Sequence, residues 1–464
     1  MPCAFHERRP YPFQDLDPGC QFHVGEDELT EIDGKSWCDF HLPIQTKAGN
    51  ETEKAKWDEQ RISDFNMCIF EWVTQAETEE KTCDLTGVVF PGYISFKKEE
   101  PYHAMHFLKA QFAGPVDFVK ARFADNTNFV RAQFADNADF GEAQFFGAAL
   151  FREAQFSDNV NFGKVQFSSS AYFNRVKFSG PAWFDSDGDL STPEKIQNNV
   201  FHEVDFSDST FRDTISFNNR QFRGRTDFGG CTFEKKAPEF HSCTLHQNTN
   251  FDGATFPKTF ADNKEWEEKS WVKRTYEKDL KLKAFLRVLG QEEWEKKWKA
   301  ELQKRWGERE WGSAERAYRT LKLAMEQVRA RKEEARFYAL EQNCRRARTD
   351  TDWSVRLVST LYLYTSDYGK SFKRPLAWLA GVTSTSWLFY TLLGGSPNEE
   401  IFDFTLTQLV RPFNVWLESS QGNLNDMFKQ TKFVVKLIAT CQSLFSLSLL
   451  VLFFLALRQN FKRG

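Results

Sequence analysis

From Phe107 to Phe184 phenylalanine recurs at positions 107, 112, 118, 123, 129, 134, 140, 145, 151, 156, 162, 167, 173, 178 and 184, in steps that alternate strictly between five and six. Neither a 3.6-residue helix nor a two-residue strand produces this spacing, so the chain is built on a fixed-period repeat. The unit is eleven residues long. A small residue stands two places before most of these Phe positions: Ala121, Thr127, Ala132, Ala138, Ala143, Ala149, Ala154, Val160, Val165, Ala171, Val176 and Ala182. Residues two apart in a short extended segment face one side, so the small residue and the Phe are predicted to point inward together. Asp117, Arg122, Asp125, Arg131, Asp136 and Asp139 then face water, and Gly or Asn recurs where corners are needed. A solenoid follows, and with it a binding or organising role.

A coil of four sides would stack Phe118, Phe140, Phe162 and Phe184 in one column, whereas a flattened coil of eleven residues satisfies the same spacing. The motif resembles that of the pentapeptide-repeat family, with a small residue at i−2 and Leu or Phe at i. The resemblance covers about residues 83 to 257. It implies a mainly β fold, a right-handed quadrilateral β-helix, over 83–261. Roughly seven coils spaced about 4.8 Å apart make a rod of about 34 Å. The pattern breaks at 185–200 and resumes at Phe201, Phe206, Phe211, Phe217, Phe222, Phe228 and Phe233, so this segment should loop outward. Asp185, Asp187 and Asp189 stand two apart there, but the glycine and the distal glutamate miss the spacing of a helix-loop-helix calcium site. Phe240, Leu245, Phe251 and Phe256 end the array irregularly, as capping repeats do.

The mean hydropathy of −0.56 and net charge of −4 conceal two uncharged stretches, Pro375–Leu393 and Leu437–Leu457. Each is long enough to cross about 30 Å of hydrocarbon. We therefore expect a transmembrane hairpin in 371–464, with spans at about 375–393 and 433–457, preceded by a charged α-helical neck at 262–370. Lys and Arg outnumber Asp and Glu by 24 to 16 from Lys264 to Arg348, and Lys370, Lys373 and Arg374 abut the first span. The connection at 394–432 has three basic and five acidic residues. Positive-inside bias then puts both termini in the cytoplasm. The start, Met-Pro-Cys-Ala-Phe-His, lacks the apolar core of a signal peptide. Tyr364-Thr-Ser-Asp-Tyr-Gly-Lys-Ser-Phe-Lys-Arg-Pro375 and Leu455-Ala-Leu-Arg-Gln-Asn-Phe-Lys-Arg463 resemble segments that bracket the hairpin in bacterial pentapeptide-repeat proteins of the membrane-anchored type. That resemblance implies a bacterial inner-membrane location.

Nine cysteines in a cytoplasmic chain are expected to be reduced thiols. Three share one pattern: Cys3-Ala-Phe-His6, Cys20-Gln-Phe-His23 and Cys38-Asp-Phe-His41. Cys20, His23, Cys38 and His41 have the donor types of a tetrahedral zinc site, with Cys3 and His6 as spare or alternative ligands. The competing reading is packing, because Cys231-Thr-Phe233, Cys83-Asp-Leu85 and Cys243-Thr-Leu245 place Cys two before an inward residue in the same way, and Cys68-Ile-Phe-Glu71 shows the pattern without His. Residues 1–50 thus form a Cys/His-rich cap, and 51–82 a helix covering the first coil. In the neck, Trp294, Trp298 and Leu302 make one helical stripe.

No Gly-rich phosphate loop, nucleophile elbow or metalloprotease signature accompanies the remaining histidines, which argues against an enzyme. A repeat-region net charge of only about −3 argues against nucleic acid as partner. The expected function is a non-catalytic binding platform or sensor for a cytoplasmic protein, anchored in a lipid bilayer. Ala377, Gly381 and Thr385 lie four apart, which favours homo-oligomers. The alternative is an oligomeric ion-conducting or membrane-disrupting effector, as in anti-phage defence, although the Thr-x-Gly-Tyr-Gly filter is absent from the 401–416 loop.

Overall fold

From Cys83–Asp84 to Thr232–Phe233 the chain runs through two-residue strands separated by short corners. The computed structural model describes residues 22, 29–188, 199–257, 310–348, 350–394, 399–409, 428 and 432–463. Two units emerge, Met1–Arg329 and Ala330–Gly464.

In the first unit the strands assemble into four parallel sheets of seven, seven, six and five members, so each coil has four sides rather than two. Strands 22 residues apart pair in register, for example Phe134 with Phe112 and Phe156. The predicted column exists: Phe118, Phe140, Phe162 and Phe184 stack with centroids 4.7 Å apart. Rings of neighbouring columns meet edge to face, as Phe129 and Phe140 do at 5.6 Å and 90°. Both arrangements suit the aromatic quadrupole. Each fully buried ring contributes about 1.5–3 kcal/mol by area transfer alone.

Corners meet the expectation of Gly or Asn only in part, at Gly87, Asn219, Gly230 and Gly253. In the middle of the rod the left-handed positions are instead Lys109, Lys120, Arg131, Glu142, Glu153, Lys164 and Arg175, with φ of 56–61°. Such a conformation costs a non-glycine residue roughly 1–2 kcal/mol. It is offset because the backbone N–H donates to the next coil, as Lys109 does to Val130 O at 2.9 Å. An upstream Asx side chain also accepts from the corner, as in Val130 N to Asn128 Oδ1 at 2.9 Å. Glycine serves a different need at Gly180, where a Cβ would meet the Asp158 carbonyl carbon at 2.6 Å.

The insertion leaves the coil intact. Val200–Phe201 pairs with Gln166–Phe167 on the side where an uninterrupted chain would continue. Asp185 Oδ1 accepts from Ser216 Oγ and from Asn218 N, while Asp187 pairs with Lys164 at 3.1 Å. These carboxylates hold the base of the loop.

Both ends of the rod are covered. Helix α1, Glu59–Thr78, starts where Asp58 accepts from Arg61 N at 2.8 Å, and buries Phe65, Ile69 and Val73 at i, i+4, i+8. Phe65 and Phe70 meet the first rungs at Phe90 and Phe96. At the other end helix α2, 310–327, buries Ala314, Ala317, Tyr318, Leu321 and Met325. Tyr318 lies edge-on to Phe256 at 5.9 Å. Trp294, Trp298 and Leu302 lie outside the described residues.

The second unit is helical: α3 Arg331–Ala347, α4 Trp353–Ser366, α5 Lys373–Gly394, α6 Glu399–Thr407 and α7 Lys432–Arg463. The Tyr-Gly turn expected before the first apolar stretch is present, with Asp367, Tyr368 and Gly369 all at positive φ. Segments Lys373–Leu393 and Phe433–Arg458 are long and apolar enough to cross a membrane. Tyr390, Ile401, Val435 and Ala439 form a small core with Phe428.

Candidate functional site

The Cys-x-Phe-His copy at 38–41 is buried against the first coil. His41 N and Leu42 N both turn back to Cys38 O, at 3.0 and 2.8 Å. This turn brings Cys38 Sγ to 3.2 Å from His41 Nδ1, and both residues are at most 2% exposed. His41 Nε2 lies 3.1 Å from the Thr86 carbonyl, which fixes it as donor and leaves the Nδ1 lone pair directed at the sulfur. Phe22, at the centre of the second copy, stacks on Phe40 at 3.8 Å and 10°. Lys54 is buried nearby, with Nζ donating to the Asp39 carbonyl and lying 4.4 Å from the Phe65 ring centre. Burial pushes its ammonium down to about 7. Cys3, His6, Cys20 and His23 lie outside the described residues. Among the described residues no group of three or more His, Cys, Asp or Glu converges as a metal site.

The cysteines within the repeat behave as rod packing. Cys231 Sγ donates to Phe206 O at 3.0 Å, and Cys243 Sγ to Phe217 O at 2.9 Å. Burial pushes the Cys83 and Cys243 thiols up to about 12. No disulfide joins any of the seven described cysteines.

A groove of about 590 Å³ runs down one face of the rod from beneath the cap. Its edge is the corner column Lys109, Arg131, Glu153 and Arg175, and its floor carries Gln111, Gln133, Gln155 and Lys177. Trp37 and Pro43 overhang its upper end. Glu153 is shared between Arg131 at 2.7 Å and Arg175 at 4.0 Å, which holds its carboxyl below the usual range. Burial and the neighbouring Arg131 lower Lys109. Four cations of the groove therefore face Glu153, with Asp208 of the next corner 3.9 Å from Arg175. The opposite half-coil corners are balanced, with Lys120 against Glu142 and Lys164 against Asp187. Sequence reasoning missed this face, although its signal was available as charged residues recurring every 22 positions, three of the four basic.

The family model described as pentapeptide repeats (9 copies) matches residues 107–155, the centre of this rod. The chain is a pentapeptide-repeat protein. Comparison with curated proteins and with solved structures gave no match. In the helical unit of this pentapeptide-repeat protein, Tyr390 Oη donates to Gln442 Oε1 at 2.8 Å, and Gln442 Nε2 donates to the Thr405 carbonyl at 3.0 Å. The network ties α5 and α7 to α6. Ala377, Gly381 and Thr385 line an open apolar groove of about 710 Å³.

Proposed function

We propose that this pentapeptide-repeat protein is a non-catalytic binding platform held at a bilayer, and that its groove takes an acidic extended segment of a cytoplasmic protein. The observation that carries the reading is the surplus of cations along Lys109, Arg131, Arg175 and Lys177 around a floor of exposed amides. Four coils span roughly 14 Å, which matches about four residues of extended chain. The amides present donors and acceptors at strand spacing, and the cations select charge and speed encounter. Anchoring rests on the two apolar helices, of whose hydrophobic windows only 17% and 28% is buried by protein. A core helix of a soluble domain would be mostly covered.

The test titrates full-length protein in mild detergent with a labelled hexaglutamate peptide and, in parallel, with hexaglutamine. Salt-sensitive binding of hexaglutamate alone, weakened about tenfold or more by Arg131→Glu with Arg175→Glu, supports the reading. Equal binding of both peptides, or indifference to the double substitution, overturns it.

A further inference from the structure

We propose that helix α4 recognises anionic lipid, lying in the headgroup layer with its apolar face among the upper acyl segments and Arg356, Lys373 and Arg374 on lipid phosphates. This rests on the bilayer half of the function above and adds to it the class of lipid.

The face follows from spacing. Trp353, Leu357, Val358, Leu361 and Tyr364 fall within about 140° of one another on a 3.6-residue helix. Each is between 49% and 77% exposed. The other side of α4 is occupied: Ser366 is buried, Ser359 Oγ lies 2.9 Å from Tyr368 Oη, and the Tyr362 ring meets Tyr368 edge-on at 5.6 Å. The apolar face is thus the one turned away from the helical unit.

Depth follows from two hydrogen bonds. Arg374 Nη1 donates to Leu363 O and Trp378 Nε1 to Tyr364 O, each at 3.2 Å, so carbonyls of the last turn of α4 are satisfied by the first turns of α5. The helix is therefore fixed where a segment of membrane-spanning length begins, which is the level of the headgroups. Trp and Tyr are the side chains that favour this layer, with an apolar body and a polar tip.

Charge selects the lipid. From Arg345 to Arg374 the chain carries seven basic and three acidic residues. Of the acidic ones, Asp350 accepts from Arg348 Nε at 2.9 Å and Asp367 lies in the left-handed turn that ends α4. Arg356 borders the apolar face, Lys373 and Arg374 open α5, and all three are exposed. Their stems can lie along the acyl boundary while the charged heads meet phosphate. An acidic protein would suit the cations but not the apolar face beside them, whereas an anionic bilayer offers both at one depth. Each cation near such a surface strengthens association about fivefold.

Full-length protein with the photoreactive p-benzoylphenylalanine in place of Leu361 is reconstituted in vesicles of equal parts phosphatidylcholine and phosphatidylglycerol, irradiated, and analysed by mass spectrometry for what is attached. The same group in place of Val451, exposed on α7, reports on the anchor separately. The expected result is lipid at both positions, with phosphatidylglycerol in about fivefold excess on α4 and no preference on α7. Arg356→Gln with Lys373→Gln should bring the α4 ratio to about one. Circular dichroism identifies a variant that has lost its helices; for it, about 0.5 M salt on the unsubstituted cations replaces the substitution and should lower the ratio likewise. Attachment to protein, or to both lipids equally, at the α4 position while α7 takes lipid overturns the proposal and leaves the anchor standing. Absence of lipid at both positions removes the anchor as well.

Discussion

Arg220 occupies the i−2 position before Phe222, where the coils before the insertion place Ala121, Ala143 and Val165, and the insertion explains why. In uninterrupted coils the carbonyls of Ala121 and Ala143 accept from Gln144 N and Gln166 N at 2.8 Å. Beside Val165 the following coil is interrupted by the insertion, and Arg220 Nη1 reaches that carbonyl at 3.1 Å. The same guanidinium donates to Phe184 O, to Phe162 O at 3.1 Å and to Asp185 O at 3.2 Å. It also lies 4.7 Å from the Phe201 ring centre. Burial pushes its pKa down to about 9 against the opposing pull of Asp185 and Asp187, and the carbonyl dipoles help to hold the cation. Arg220→Met should therefore cost about 3–5 kcal/mol, since it strands several buried acceptors. Arg220→Lys should recover only part of this, because a point ammonium cannot reproduce the planar fork. Urea unfolding of the full chain measures both, and a loss below about 1 kcal/mol for Arg220→Met would show that the carbonyls find other donors. This residue was illegible beforehand: only the violation of the small-residue rule marked it, and its four acceptors among the described residues come from segments far away in sequence.

Strands and columns were the most legible part of the chain because a single period generates them. Each Phe repeats the environment of the Phe 22 residues earlier, so local preference and long-range pairing agree at every rung. Corners were legible only in part, at Gly87, Asn219, Gly230 and Gly253, for a related reason. Composition suggests Gly or Asn for positive φ, but in a stacked coil the next rung supplies a hydrogen bond that lets Lys, Arg or Glu adopt it with the side chain in water. Repeat architecture also sets how damage spreads, since each coil touches only its neighbours. Phe151 is 0% exposed between Phe129 and Phe173, whereas Phe256 is 9% exposed at the last rung. Phe151→Ala should cost about 3–5 kcal/mol and split the unfolding transition, while Phe256→Ala should cost less and leave one transition. Equal losses at both positions would mean that the end cap, not stacking, carries the rod's stability.

At the scale of the whole chain, the sequence announced the two apolar stretches but not helix α4, whose mixed composition hides its face. Trp353, Leu357, Val358, Leu361 and Tyr364 follow one another at helical spacing and are 77%, 50%, 65%, 49% and 62% exposed. Five large apolar side chains on one uncovered face, directly preceding an apolar helix, are unusual for a domain that meets only water. An amphipathic helix lying in the headgroup region is the arrangement that covers them, as an extension of the proposed anchor. Trp378 Nε1 donates to Tyr364 O at 3.2 Å, and Arg374 Nη1 to Leu363 O at 3.2 Å, so the end of α4 is fastened to the start of α5. The anchor reading predicts that full-length protein stays with the membrane fraction through alkaline carbonate washing and leaves only with detergent. Arginine at Leu444 and Val451, both exposed on α7, should release it, because each charge near mid-bilayer costs about 2.5–3.5 kcal/mol on insertion scales. Serine at Trp353 and Leu357 should leave insertion intact but weaken the interfacial contact, seen as faster proteolysis near Arg348 and Arg356 in vesicles. A chain that remains monodisperse in buffer without detergent, with α5 and α7 intact, would remove the anchor and with it the bilayer half of the proposed function.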